Sequence, residues 1–376
     1  MLKYVWIVGI GFFMLAGAFF IFVKWINSSN PDYVVKKLLD TDVKSSMVFK
    51  ENGEEKVSLR SSDMLSLAST MKIMVALEYA FQTGEGKIDG NEGINLKELE
   101  TYYLPKLDGG AHEAWIAHGK EQGYIKNDSV TLREVARGMI SFSSNANTEF
   151  LMDKLGIENI EARMKDNGIT SHSPLFYFVS ATFIPYELNG TGLDMKDEKE
   201  DIINRMQEMN EDEWVALSEE IHEKLFSDDE YKVRSMVLDW WDSDFDRLFS
   251  EKFMKSTAGE YAGLMSKINN QAFEVEVQAE LEYLLGAVME NPANQEWLNR
   301  AGKKGGSTQY ILTDAMFAED KKGNKFELAI FFNDLGLLEG RKLMVSLNEF
   351  ELKLLSDAAF RDEVYQKLMG GTQNEK

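Results

Sequence analysis

No cysteine occurs in the 376 residues, which excludes disulfides, thiolate catalysis, cysteine-based zinc sites and a lipid-modified N-terminal cysteine. Histidine is scarce. His112, His118, His172 and His222 fall at no recognisable ligand spacing, so a metal site is disfavoured. Basic charge is in deficit: 41 lysines and arginines face 63 acidic residues, a formal net charge of −22. A surface of that sign repels nucleic-acid backbones and anionic lipid heads, so no nucleic-acid partner is expected. Internal repeats and low-complexity tracts are missing as well. With 44% hydrophobic and 28% charged residues, the chain can bury one large core or two lobes.

One long apolar run is present. Tyr4 to Val23 carries no charge and matches the roughly 20 residues a helix needs to cross a bilayer. Ala16-Gly17-Ala18 would suit a cleavage site, but the run continues through Phe19-Phe20-Ile21-Phe22-Val23. A cleavable signal has an apolar stretch of about 7–15 residues, so an uncleaved anchor fits better. The expectation is a single-pass cell-membrane protein with an anchor over residues 1–27. Because positive charge tends to stay cytoplasmic, the domain formed by residues 28–376 is expected outside the membrane.

Beyond the exit at Ser28-Ser29-Asn30-Pro31 and a short helical segment, Met47-Val48-Phe49 and Val57-Ser58-Leu59 flank Asn52-Gly53, a strong hairpin signal. Helical patterns then dominate to about Arg300. Thr131-Leu132-Arg133-Glu134 is a capping box, and Ser256 or Thr257 caps a later helix carrying Tyr261, Leu264, Met265 and Ile268. Strand patterns return after Lys304: Tyr310, Leu312 and Met316, a turn at Lys322-Gly323-Asn324, then Phe326, Leu328, Ile330 and Phe332. A closing helix is predicted over about Leu343 to Leu368. Strands at both ends of a helical middle predict an α/β (α+β) fold, one antiparallel sheet flanked by helices plus an all-helical lobe. Between about Gly190 and Lys255 lies an insertion with acidic clusters and apolar residues at helical spacing: Trp214, Leu217, Ile221 and Leu225, then Leu238, Trp241, Phe245 and Leu248. It reads as amphipathic helices packed on the parent lobe, or as a lid or docking surface for an envelope partner.

Chemistry concentrates in three places. Leu67-Ala68-Ser69-Thr70-Met71-Lys72 runs into the apolar stretch Ile73-Met74-Val75-Ala76-Leu77. A serine and a lysine three apart share a helical face, and a neutral lysine accepts the serine proton. In isolation the same pattern fits a capped core helix with a snorkelling lysine. Ser143-Ser144-Asn145 offers a hydroxyl and a side-chain amide between two helices, suited to proton relay and amide binding or simply to capping. Lys303-Lys304-Gly305-Gly306-Ser307-Thr308 places a lysine before glycines that admit a substrate backbone, or forms a surface turn.

In this order, the three motifs resemble the serine β-lactamase and penicillin-binding protein family, closest to its class A β-lactamases. The resemblance spans about Ser46 to Leu368. It implies Ser69 as acylated nucleophile and Lys72 as proton acceptor. Ser143 is implied to shuttle protons beside Lys304, Asn145 to bind the substrate amide and Lys304 the substrate carboxylate. Gly306 is implied in substrate binding too, and the backbone N–H groups of Ser69 and Ser307 would form an oxyanion hole. No cofactor is implied; the substrate is a β-lactam or a peptidoglycan-derived amide.

The chain departs from that pattern at three points. Ser144 replaces an acidic residue, and Gly305 replaces a Thr or Ser. The family's deacylating glutamate lies in a Glu-x-x-Leu-Asn pattern, whereas Phe183-Ile184-Pro185-Tyr186-Glu187-Leu188-Asn189 places Pro185 at the glutamate's position and Glu187 two places late. Glu187 is either a repositioned catalytic base or a solvated loop acid. Three functions follow: a membrane-anchored serine hydrolase working through an acyl-Ser69 intermediate, a D-alanyl-D-alanine peptidase with slow deacylation, or a catalytically silent envelope protein that binds through the insertion.

Overall fold

Asn52 and Gly53 take positive φ values of 53° and 82°, the left-handed pair that a two-residue hairpin turn requires. They join β1 (Lys44–Glu51) to β2 (Glu54–Leu59), which run antiparallel with Met47 opposite Leu59. This is a computed structural model, and it describes residues 23–105, 107–189, 197–228, 230–231 and 241–370. Two short pairs follow: β3 (Leu65–Ser66) with β6 (Lys255–Ser256), and β4 (Gly93–Asn95) with β5 (Ser129–Thr131). Near the other end of the chain, β7 (Leu298–Ser307), β8 (Leu312–Asp320) and β9 (Lys325–Asn333) form an antiparallel meander. The main sheet has the order β2-β1-β9-β8-β7, so strands from distant parts of the chain meet as the pattern predicts.

Two compact units divide the chain. Residues 45–333 form the larger one; the described residues of the two terminal stretches, up to Lys44 and from Asp334 onward, form the other. In the larger unit, α1 (Lys72–Gly84) is apolar nearly all round, with Ile73, Met74, Val75, Ala76, Leu77, Tyr79 and Ala80 buried. A helix with no polar face belongs in the middle of a core. Around it pack α2 (Leu132–Ser141), α3 (Asn145–Leu155) and, from later in the chain, α7 (Val275–Leu285). Thr131 caps α2 by accepting the Glu134 N–H at 3.3 Å. The insertion supplies α4 (Glu211–Ser227) and α5 (Ser243–Lys252), with Trp214, Ile221, Leu225, Phe245 and Leu248 buried as their spacing predicts. Helix α6 (Ala258–Asn269), capped by Thr257, packs on β8 and β9, with Tyr261 edge-on to Phe331.

The terminal unit holds the helices Pro31–Leu39, Leu337–Ser356 and Ala358–Met369, the first packing on the other two. Lys37 pairs with Asp40 and Glu339, and the Lys342 ammonium donates to the Trp25 and Ser28 carbonyls.

Three expectations need correction. β7 begins at Leu298, well before Lys304, because a register shift between Leu298 and Arg300 breaks the alternation that marks a strand in sequence. Tyr310 lies in the turn between β7 and β8. The closing helix is two helices, broken at Asp357, whose extended backbone (φ −116°, ψ 103°) lets its carboxylate cap the N–H groups of Ala359 and Phe360. Among the described residues no helix is long and apolar enough to cross a membrane. The predicted anchor, Tyr4 to Val23, lies outside the described residues except for Val23.

Candidate active site

Ser69 sits on a single 3-10 turn, Ala68–Met71, that leads into α1. Ala68 carries a φ of 46°, a left-handed conformation that costs a non-glycine residue on the order of 1–3 kcal/mol. Surrounding structure holds it there. Leu67 donates its N–H to the Met254 carbonyl at 2.9 Å, and its own carbonyl accepts the Thr313 hydroxyl at 2.6 Å. Thr313 Oγ1 also lies 2.8 Å from Thr70 Oγ1, tying the turn to β8. On β7, a Cβ added to Gly306 would stand 2.6 Å from the Leu67 carbonyl oxygen and 2.7 Å from the Ser69 nitrogen, so only glycine allows this approach.

Two amines converge beside the turn. Lys72 is fully buried, and its Nζ donates to the Ser143 carbonyl (2.6 Å), Ser143 Oγ (3.2 Å) and Asn145 Oδ1 (2.8 Å). Lys304, 5% exposed, reaches the same Ser143 Oγ at 3.0 Å and the Gly305 carbonyl at 2.7 Å. One hydroxyl thus bridges two lysines that come from opposite ends of the unit. Burial holds the Lys72 amine well below the usual lysine range, Lys304 pushes it the same way, and Asp108 opposes them. Burial likewise draws Lys304 down to about 8, against Asp314 and with help from Lys303. A lowered pKa brings a lysine amine closer to the neutral form that accepts a proton.

Ser143 itself is strained, with a φ of 68°. The next residue explains how that is tolerated: Ser144 is buried, caps α3 by accepting the Asn147 N–H at 3.2 Å, and bonds His112 Nδ1 at 2.8 Å. A serine at this position therefore serves as an anchor for the turn.

β7 is the edge strand of the sheet, and Lys304 and Gly306 share the face toward Ser69. Thr308 donates to the Ile311 carbonyl at 3.0 Å. Strand alternation then turns the Ser307 N–H toward the open edge. Gly305 faces Asp314 instead, where a Cβ would lie 3.3 Å from Oδ2 of the carboxylate that pairs with Lys303.

In front of Ser69 opens a cavity of about 190 Å³ whose lining includes Ser69, Asn145, Phe178, Thr182, Ser307 and Thr308. The insertion contributes too: Trp241 and the α5 residues Asp246, Phe249 and Ser250 line the same cavity, and Ser250 Oγ meets Thr308 Oγ1 at 2.8 Å. Of the sequence-predicted residues, Ser69, Lys72, Ser143, Asn145, Lys304, Gly306 and Ser307 come together. Glu187 does not join them. It lies in the helix Ile184–Asn189, its carboxylate is held at 2.9 Å by Lys224 of α4, and it is not part of the cavity lining. Among the described residues no group of three or more His, Asp or Glu side chains is placed to hold a metal ion.

Comparison with known proteins agrees with this geometry. The model of the β-lactamase enzyme family matches residues 33–347. The chain belongs to that family. Among solved structures, a β-lactamase from Sphaerobacter thermophilus is similar at TM-score 0.50 and 15% identity, over 86% of this chain and 95% of that one. One from Chitinophaga pinensis aligns at 0.50 and 14%, over 85% and 98%. A variant of the last common ancestor of Gram-negative bacteria β-lactamase class A aligns at 0.51 and 13%, over 89% and 98%. At these identities the likeness carries the fold alone, a β-lactamase-like α/β fold with an antiparallel sheet flanked by helices. No curated protein matches the chain.

Sequence reasoning passed over Thr70, Thr313 and the α5 wall. Thr70 and Thr313 are ordinary strand and turn residues whose role exists only in contact. The α5 wall did leave a trace: Asp246, Phe249, Ser250 and Phe253 recur at i, i+3, i+4 and i+7, a second face beside the Phe245 and Leu248 stripe.

Proposed function

We propose that the protein is a serine hydrolase that opens a β-lactam or a related cell-wall amide through an acyl-Ser69 intermediate. The observation that carries this reading is the meeting of Lys72 Nζ and Lys304 Nζ on the single hydroxyl of Ser143, with Ser69, Asn145 and Ser307 lining one cavity. Lys72, its amine shifted toward the neutral form by burial, takes the Ser69 proton as Oγ bonds to the carbonyl carbon. The N–H groups of Ser69 and Ser307 receive the developing oxyanion. As the C–N bond breaks, Ser143 hands a proton to the leaving nitrogen and is reprotonated from the lysines. Asn145 holds the substrate amide, and protonated Lys304 its carboxylate.

A second reading concerns the next step. With Glu187 engaged by Lys224, no carboxylate of the Phe183–Asn189 segment faces the acyl group, which favours slow deacylation of the kind expected of a D-alanyl-D-alanine peptidase or penicillin-binding protein. The apolar run Tyr4 to Val23 is assigned as the membrane anchor, with the hydrolase unit extracytoplasmic. The insertion in this reading walls the cavity, a role different from docking an envelope partner.

The test is the intact mass of the full chain, followed over time with a fluorescent penicillin beside Ser69→Ala. A transient adduct with turnover supports the lactamase, and a lasting adduct the peptidase. Absence of any adduct on the wild type, or an adduct on Ser69→Ala, contradicts the hydrolase reading and favours the silent binding protein.

A further inference from the structure

We propose that Asp246, together with the rings of Trp241, Phe249 and Phe253, forms a subsite for an ammonium group carried on the acyl side of the substrate, so that the cavity selects amine-bearing amides. The inference rests on the acyl-Ser69 reading only for which end of the ligand reacts.

Asp246, Phe249 and Ser250 line the cavity from one face of α5, and Phe253, just past the end of the helix, lines it too. Trp241 closes the same wall, its ring 5.1 Å from that of Phe249. Its indole N–H donates to Asp246 Oδ1 at 2.6 Å, which fixes the carboxylate and leaves Oδ2 for a ligand. The neighbouring acids are neutralised internally: Lys199 pairs with both Asp242 and Asp244. Asp246 has no ion pair among the described residues and is half-buried. A carboxylate without a cation, fixed among aromatic faces, is the chemistry that binds an ammonium, through charge and through the ring quadrupoles. On the β7 side of the site stands Lys304, which repels an ammonium and attracts a carboxylate. The two ends together orient a zwitterionic ligand, with the amine toward α5 and the carboxylate toward β7.

Two penicillins of equal shape test this, one with a 6-aminohexanoyl side chain and one with heptanoyl, differing only in a terminal ammonium or methyl. Calorimetry on the full chain carrying Ser69→Ala, which cannot be acylated, gives both dissociation constants. The ammonium probe is expected to bind about tenfold tighter. Adding Asp246→Asn, whose side-chain oxygen still accepts the Trp241 hydrogen bond, abolishes the preference, and Asp246→Lys transfers it to a side chain ending in carboxylate. That gained preference cannot arise from misfolding. Equal affinities for the two probes, or a preference that survives Asp246→Asn, overturns the proposal. So does an Asp246→Asn protein that keeps the preference and accumulates acyl-enzyme, because Asp246 then acts on water instead. Mass analysis with intact Ser69 judges the hydrolase separately. Acylation by both probes without discrimination overturns the subsite and leaves the hydrolase standing. The ammonium preference without acylation does the reverse.

Discussion

Two clusters of buried charge lie in the larger unit, and they are built in opposite ways. Around His222 of α4 two carboxylates flank one imidazole. Glu149 accepts from the Val179 N–H (2.6 Å) and the Ser180 hydroxyl (3.0 Å) and lies 3.4 Å from His222 Nδ1, while Asp153 stands 3.9 Å from Nε2 and Tyr177 stacks on the ring at 3.5 Å. Burial alone would pull the His222 pKa down, but Asp153 and Glu149 outweigh it and raise it. Around Ser69 like groups meet instead. Two buried lysines share Ser143 and both are drawn down, Lys304 to about 8. The first cluster ties the insertion to the helical lobe; the second sets two amines of lowered proton affinity on one hydroxyl. The second is therefore the candidate site for chemistry, although the first holds more acids.

The largest effect that would break this contrast is on rate. Lys72→Met is expected to slow acylation of Ser69 on the order of 10³-fold by stopped-flow with a chromogenic cephalosporin, without lowering the unfolding free energy. Glu149→Gln should do the converse. It takes one partner from a buried charge and should cost about 3 kcal/mol in urea unfolding while acylation stays within a few-fold of wild type.

Acidity sharpens the comparison next. Acylation should fall about tenfold per pH unit above about 8, as Lys304 loses the proton that holds the substrate carboxylate, and Lys304→Arg should move that limb upward. The stability signs are opposite. The folded-state pKa of His222 is raised, so its contribution is full below the unfolded value near 6.5 and is lost as pH rises through the folded one. The folded-state pKa of Lys304 is lowered, so its cost is full below about 8 and is relieved as pH climbs toward the ordinary lysine value. Urea titrations of His222→Gln and Lys304→Met across this range separate the two slopes. The smallest effect is at Glu187: Glu187→Gln should change neither acylation nor deacylation more than twofold, and stability by under about 1 kcal/mol, since its pair with Lys224 is partly exposed.

Much of the site was legible because its residues recur as short motifs at element boundaries: Ser69 before an apolar helix, Ser143 and Asn145 between two helices, Lys304 before glycines. The sheet was legible through Asn52-Gly53 and the alternation from Phe326 to Phe332. Gly306 was assigned to the site on resemblance, but its steric reason, the backbone of the Ser69 turn, appears only in three dimensions. For Glu187 the sequence left both roles open, because an acid near Leu188-Asn189 looks the same whether it faces a cavity or Lys224. The strand start at Leu298 was hidden by a bulge, and the break at Asp357 by apolar periodicity that continues across it. Spacing alone did not single out Asp246 among the acids of the insertion, since what sets it apart is that Lys199 pairs with its neighbours and, among the described residues, no cation pairs with it.

The account stands most directly on which atom becomes acylated. Digestion of the penicillin-treated full chain, followed by tandem mass spectrometry of the peptide containing Leu67 to Lys72, reads this out. The expected result is the penicilloyl mass on Ser69, abolished by Ser69→Ala and greatly slowed by Lys72→Met. A penicilloyl group found on another residue, or equal labelling of Lys72→Met, would contradict it.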